Sequence, residues 1–99
     1  MTVVGAGGVV ITHLSRIERF DRDYRKLDAE LQGKVAAKLR DLLKTPRPPG
    51  LRFEKLKGYS RPDIYTIHVT GNYKISFLVD GTTAILRRVA NHDEIDRAP

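Results

Sequence analysis

The sequence predicts an α+β domain in which an N-terminal strand, at Val9–Thr12, and a two-helix hairpin pack on one face of a small, twisted antiparallel β-sheet. Apolar residues recur at spacings of three and four in the first half of the chain and alternate with polar residues in the second half. TPRPPG at 45–50 separates the two patterns, because prolines end a helix. The 99 residues suffice for one core, so we predict a single domain over 9–97 after a flexible, glycine-containing extension at 1–8.

Two amphipathic helices are predicted before the prolines. Ser15 and Glu18 have the S-x-x-E spacing of a capping box, so the first helix is predicted over 15–27. Asp28 can cap a second helix that runs to about Lys44. The apolar stripes of the two helices are Ile17, Phe20, Tyr24 and Leu27, then Leu31, Val35, Leu39 and Leu42.

A three-stranded meander is predicted in the C-terminal half, where β-branched and aromatic residues alternate with polar ones. Gly71-Asn72 and Asp80-Gly81 mark the two hairpins between its strands. The strands are predicted at 65–69, 73–79 and 82–90, with a short additional strand near Glu54–Leu56.

The register of the first hairpin follows from keeping apolar residues opposite apolar ones. A three-residue loop, Thr70–Asn72, pairs Val69 with Tyr73. The same register places His68 directly opposite Lys74, on the sheet face that points away from the helices. It also pairs Ile67 with Ile75, Tyr65 with Phe77, and Thr66 with Ser76.

The second hairpin brings the last strand beside this face. A two-residue Asp-Gly turn pairs Val79 with Thr82 and places Arg87 beside Lys74. His92 follows just after the end of the strand. The sequence therefore predicts a cationic groove formed by Thr66, His68, Lys74, Ser76, Arg87 and His92.

The charge of the chain favours an anionic partner. The net charge is +6 and the pI is near 9.9, which suits nucleic acid, an acidic protein or a membrane surface. Residues 38–62 are rich in cations, an electrostatic footprint typical of polyanion binding. No stretch is long and apolar enough to span a membrane, no secretory signal is recognised, and cysteine is absent, so we expect a cytoplasmic protein.

The segments LRFEKLKGY and DIYTIHVTGNYKISFLVDGTTAILRRVANHDEI carry a family resemblance. In their order and spacing, residues 9–97 resemble the RelE/ParE superfamily of toxins from bacterial type II toxin–antitoxin modules, especially RelE-like members of the YafQ and YoeB type. The resemblance implies a metal-independent endoribonuclease without cofactor that cleaves mRNA in the ribosomal A site and inhibits translation. It also implies a cognate antitoxin, with a toxin–antitoxin hetero-oligomer as a possible assembly.

Residue by residue, the resemblance carries over incompletely. The alternate basic positions of the RelE-like strand fall on Thr66 and His68, and the arginine of the hairpin falls on Lys74. His92 matches the histidine of YafQ-like and YoeB-like members, whereas Asp96 stands near the position of the catalytic tyrosine of RelE. The RelE mechanism therefore does not transfer intact.

Metal-independent RNA cleavage needs a base, an acid and cations around the scissile phosphate. His68 beside Lys74 is predicted to be mostly neutral and to act as the base, and His92, supported by Asp93 or Glu94, as the acid; the reverse assignment stays open. Lys74 and Arg87 are assigned to the phosphate. Further RNA or phosphate contacts are predicted from Lys55, Lys57, Arg61, Thr66, Ser76 and Arg88.

Other functions remain open at this point. A metal site in His92–Glu94 is disfavoured because adjacent side chains diverge. A ParE-like inhibitor of DNA gyrase is the main alternative, because Thr66 and Asp96 depart from the RelE pattern. A catalytically inactive module that binds an antitoxin or RNA is the third.

Overall fold

The structure is a computed structural model and describes residues 9–99, so the predicted extension at 1–8 lies outside the described residues. The elements are β1 (His13–Arg16), α1 (Glu18–Arg25), α2 (Ala29–Leu42), a 3-10 turn (Pro49–Leu51), β2 (Glu54–Lys55), β3 (Tyr65–His68), β4 (Tyr73–Asp80), β5 (Thr83–Asn91) and α3 (His92–Arg97). Within residues 9–99 the five strands form one mixed sheet in the order β1-β5-β4-β3-β2, flanked by the three α-helices, which confirms the α+β class.

The N-terminal strand lies later than predicted and makes the sheet mixed. β1 covers His13–Arg16 and not Val9–Thr12, and it runs parallel to β5, with Ser15 paired to Ile85. The predicted capping box is therefore wrong: α1 begins at Glu18 after Ile17, and no side chain caps it. The reason is tertiary, because the pairing with β5 provides partners for the backbone around Ser15 that outweigh a local cap.

The second helix follows its sequence signals closely. The Leu31 amide donates to Asp28 Oδ1 at 2.8 Å, which confirms the predicted cap. α2 ends at Leu42, whereas the predicted end is near Lys44. Helices α1 and α2 pack on one face of the sheet through a core that includes Phe20, Val35, Leu42, Ile67, Ile75, Phe77 and Leu86.

The first hairpin has the predicted register and the second does not. His68 pairs with Lys74, as predicted. In the second hairpin Asp80 pairs with Thr83 around Gly81-Thr82, so the turn lies one residue later than predicted. Gly81 has a φ of +63°, which suits this turn because glycine has no side chain to clash.

A β-bulge near Ser76 shifts the register of β5 once more. Beyond the irregularity between Ser76 and Phe77, Ser76 pairs with Arg88 and Lys74 pairs with Ala90. The prediction that Arg87 lies beside Lys74 is therefore wrong. A bulge adds one residue to one strand. It disturbs the alternation of apolar residues too little to be recognised in the sequence.

Candidate active site

The segment after β5 folds into a short helix that the sequence analysis missed. The Glu94 amide donates to the Asn91 side chain at 2.9 Å, and the His92 amide donates to the Asn72 carbonyl at 2.8 Å. Ile95 is fully buried and ties α3 to the sheet. An asparagine followed by two acidic residues is a helix-start signal that could have predicted this helix.

Helix α3 brings two histidines together. The rings of His68, on β3, and His92, at the start of α3, meet edge to face with centroids 4.7 Å apart and an interplanar angle of 88°. His92 Nε2 is buried and has no hydrogen-bond partner among residues 9–99. A buried ring nitrogen without a partner is unusual in a folded protein and keeps unused hydrogen-bonding capacity.

The surroundings of His68 favour its neutral form. Burial chiefly lowers the pKa of His68 below its ordinary value of 6.5, and the charges of Arg52, His92 and Lys74 lower it further. The charge of Glu54 raises the pKa of His68, but this effect is weaker. A neutral imidazole accepts a proton, so His68 is suited to the predicted role of base.

Lys74 is present at the site but is paired. Its Nζ lies 3.1 Å from Asp96 Oδ1, which comes from the last turn of α3. The Lys74 side chain is 12% exposed and that of Asp96 is 50% exposed, so a solvent-facing carboxylate covers a nearly buried ammonium. The Tyr59 hydroxyl donates to the Asp96 and Arg97 carbonyls at 3.2 and 3.1 Å and helps to hold this end of α3.

Arg88 holds the other side of α3. Its side chain is bound within the protein and is not available for the predicted contact with RNA. Its guanidinium donates to both carboxylate oxygens of Asp23, at 3.0 and 3.2 Å, and to Glu94 Oε2 at 2.8 Å. The side chain is 7% exposed, and the hydrogen bond to Asp23 is the main cause that raises the pKa of Arg88 above its ordinary value. Arg88 is therefore part of a buried ion-pair network.

The remaining predicted residues divide between buried and peripheral positions. Thr66 and Ser76 are 1% and 0% exposed, so a ligand does not reach their hydroxyls in this conformation. Arg87 Nε donates to the Pro99 carbonyl at 3.4 Å, and Ala90, not Arg87, is the strand partner of Lys74. On the exposed loop and edge before β3 lie Lys55, Lys57 and Arg61, with Lys55 Nζ 3.8 Å from Asp63 Oδ2.

Two charged residues near His68, Arg52 and Glu54, were not recognised from the sequence. Glu54 pairs with Thr66 at the sheet edge, and Arg52 precedes it by two residues. The sequence predicts a short strand near Glu54–Leu56, but nothing in its pattern indicates that Arg52 and Glu54 lie close to His68. Among residues 9–99 no group of three or more His, Cys, Asp or Glu side chains has the arrangement of a metal site.

Within the same residues, no helix has the length and apolar character needed to cross a membrane. No protein-family model and no curated protein matches the chain.

Solved structures of toxins share the fold. The chain is similar to the RelB-RelE antitoxin-toxin complex from Methanococcus jannaschii, with 26% identity, a TM-score of 0.62, and coverage of 86% of this chain and 99% of that one. It is also similar to the intact E. coli RelBE toxin-antitoxin complex, with 25% identity, a TM-score of 0.61, and coverage of 81% and 95%. YafQ from E. coli shares the fold at 13% identity, with a TM-score of 0.61 and coverage of 83% and 94%.

The first two of these likenesses cover 99% and 95% of the matched chains. The resemblance inferred from the sequence motifs is thereby confirmed at the level of the superfamily. At 25–26% identity over most of each chain, these solved structures support a place for the chain in the RelE-like toxin superfamily.

Proposed function

We propose that the chain is the toxin of a type II toxin–antitoxin module and cleaves mRNA in the ribosomal A site without a metal ion. The observation that carries this proposal is the pair of imidazoles, His68 and His92, with centroids 4.7 Å apart beside Lys74. Toxins in complex with their antitoxins are among the similar structures, which supports the toxin role.

In the proposed reaction, neutral His68 removes the proton from the 2′-hydroxyl, and the resulting oxygen attacks the adjacent phosphorus. A 2′,3′-cyclic phosphate forms as the bond to the 5′-oxygen breaks. His92, in its protonated form, gives a proton to that leaving oxygen. Lys74 stabilises the additional negative charge on the phosphate oxygens.

The reaction requires α3 to move. A base and an acid act from opposite sides of the phosphorus, and a phosphate does not fit between rings whose centroids are 4.7 Å apart. An outward shift of α3 separates the rings and removes Asp96 from Lys74, because His92 and Asp96 are on the same short helix. RNA binding and release of Lys74 are then one event.

The proposed partner is an antitoxin with an acidic or amphipathic segment. Such a segment neutralises part of the +6 charge of the toxin while it wraps the domain. Ribosome and mRNA are the proposed targets, since the exposed basic loop with Lys57 and Arg61 suits RNA phosphates.

The test compares His68→Ala, His92→Ala and the double variant with His13→Ala, which removes an exposed histidine from β1. Message ends are mapped after induction in cells and with purified ribosomes. We expect each site variant to lose roughly a hundredfold to ten-thousandfold in cleavage rate, as for a lost general base or acid, and His13→Ala to keep its activity. A double variant that cleaves ribosome-bound message like the wild type removes the catalytic assignment.

Inhibition of DNA gyrase is the second candidate. The pairing of Lys74 with Asp96 favours it, because this ion pair reduces the positive charge available to a phosphate. Broken or tangled chromosomes with intact messages after induction would identify this function. Tight antitoxin binding without any growth defect would instead identify an inactive binding module.

A further inference from the structure

Arg52 lies at the edge of the candidate active site, where the chain enters β2. It follows the 3-10 turn Pro49–Leu51, and its backbone is left-handed, with φ of 54° and ψ of 57°. Glu54 pairs with Thr66, so counting this register back by two residues brings Arg52 level with His68. Left-handed arginine is uncommon, and such backbone conformations concentrate at functional sites.

The charge of Arg52 reaches the His68 ring. Among the charged groups around His68, Arg52 is the strongest cause that lowers its pKa, ahead of His92 and Lys74. The register and the electrostatic effect are separate indications, and both place Arg52 near His68.

Arg52 also differs from Lys74 and Arg88 in having no acidic partner. Its side chain is exposed and makes no hydrogen bond or ion pair with any residue of 9–99. By contrast, Lys74 is bound to Asp96, and Arg88 is bound to Asp23 and Glu94. A solvent-facing guanidinium beside a histidine retains its full capacity to bind an anion.

We propose that Arg52 contacts the scissile phosphate of RNA from the His68 side of the site, opposite Lys74. This inference rests on the proposed nuclease function and adds a substrate-binding residue to it. The planar guanidinium donates two parallel hydrogen bonds to non-bridging phosphate oxygens, whereas Lys74 supplies one point charge. Arg52 then has two effects: it orients the phosphate and it keeps His68 neutral.

Arg52→Gly is the most informative variant, because glycine accepts the left-handed backbone at this position. The loss of the side chain is thereby separated from a loss of folding. Arg52→Lys keeps the charge and removes the two-pronged contact. Arg19→Ala, on the exposed surface of α1, is the control for the loss of one positive charge.

Two measurements are made on each variant: the cleavage rate of ribosome-bound message and the NMR titration of the His68 ring. We expect Arg52→Gly to cleave roughly tenfold to a hundredfold more slowly, as for the loss of one transition-state donor, and the pKa of His68 to rise toward 6.5. Arg52→Lys restores the titration but only part of the rate. Cleavage by Arg52→Gly that equals that of Arg19→Ala overturns the proposal, and so does slow cleavage with an unchanged His68 titration.

Binding of a short RNA with a 2′-deoxy substitution at the cleavage position separates this proposal from the proposed function. If the wild-type protein cleaves no message, the nuclease function fails, and the affinity for this uncleavable RNA still tests Arg52. Weaker binding by Arg52→Gly than by Arg19→Ala supports the contact. Equal binding by the two variants overturns it.

Discussion

The two sides of α3 contain charged clusters of opposite character. On one side Arg88 is surrounded by Asp23, Glu94 and a backbone carbonyl, and its polar atoms are buried and paired. On the other side His68 and His92 meet with a buried ring nitrogen that has no partner among residues 9–99. A saturated cluster holds structure, whereas an unsaturated one leaves hydrogen-bonding capacity for a ligand.

The same helix links both clusters, because Glu94 belongs to the first and His92 to the second. The Arg88 side is a buried anchor with fully buried Ile95 beside it. The histidine side is closed by the Lys74–Asp96 pair, in which the carboxylate is half exposed. We therefore expect α3 to pivot on the Arg88 side and open on the histidine side.

Removal of Arg88 tests this contrast with the largest expected effect. Arg88→Met leaves the Asp23 carboxylate buried without its cation, which costs about 3–5 kcal/mol in the free energy of unfolding. Arg87→Met is the matched control, because Arg87 makes one long contact with the Pro99 carbonyl and should lose less than about 1 kcal/mol. Urea denaturation measures both; equal midpoints for the two variants would contradict the anchoring role.

The pH dependence of cleavage tests the His68–His92 pair. The pKa of His68 is below 6.5, so the ring stays neutral, and able to act as a base, as the pH falls through that value. The acidic limb of kcat/KM should therefore lie below pH 6.5 and follow the NMR titration of His68. A limb above that pH, or one that does not follow His68, would assign the base to another group.

Glu94→Gln tests the connection between the clusters. The Arg88–Glu94 contact at 2.8 Å is partly exposed, so its weakening should cost about 1 kcal/mol in the free energy of unfolding. The His68–His92 ring contact should loosen at the same time, seen as altered histidine NMR shifts. Asp93→Asn, on the exposed side of the same helical turn, should change neither property; identical behaviour of the two variants would separate α3 from the anchor.

The smallest expected effect belongs to Asp96→Asn. A half-exposed ion pair contributes about 0.2–1 kcal/mol, so its loss should barely change the denaturation midpoint. Because Lys74 is then free for the phosphate, binding of uncleavable RNA should strengthen by up to about fivefold. Weaker binding would show that Asp96 itself supports the substrate.

The register of the first hairpin was predicted correctly because it depends on a local pattern. Alternation and the GNYKI hairpin placed His68 opposite Lys74, and the structure has this pairing. Arg87 was misplaced because a bulge inserts a residue without a distinct sequence signal. The sequence predicts an RNA contact for Arg88 because its ion-pair partner Asp23 lies 65 residues earlier in the chain, outside any local pattern.

The sequence by itself determined the helix over α2 with its Asp28 cap, the first hairpin, the basic character and the two histidines, because these depend on neighbours within a few residues. Only the tertiary structure decided the parallel pairing of β1, the bulge in β5 and the packing of α3 against the sheet. It also decided which cationic side chains are held in ion pairs and which are exposed to solvent. These features depend on partners far apart in the chain, whose packing and hydrogen bonds outweigh local preferences such as the Ser15 capping box.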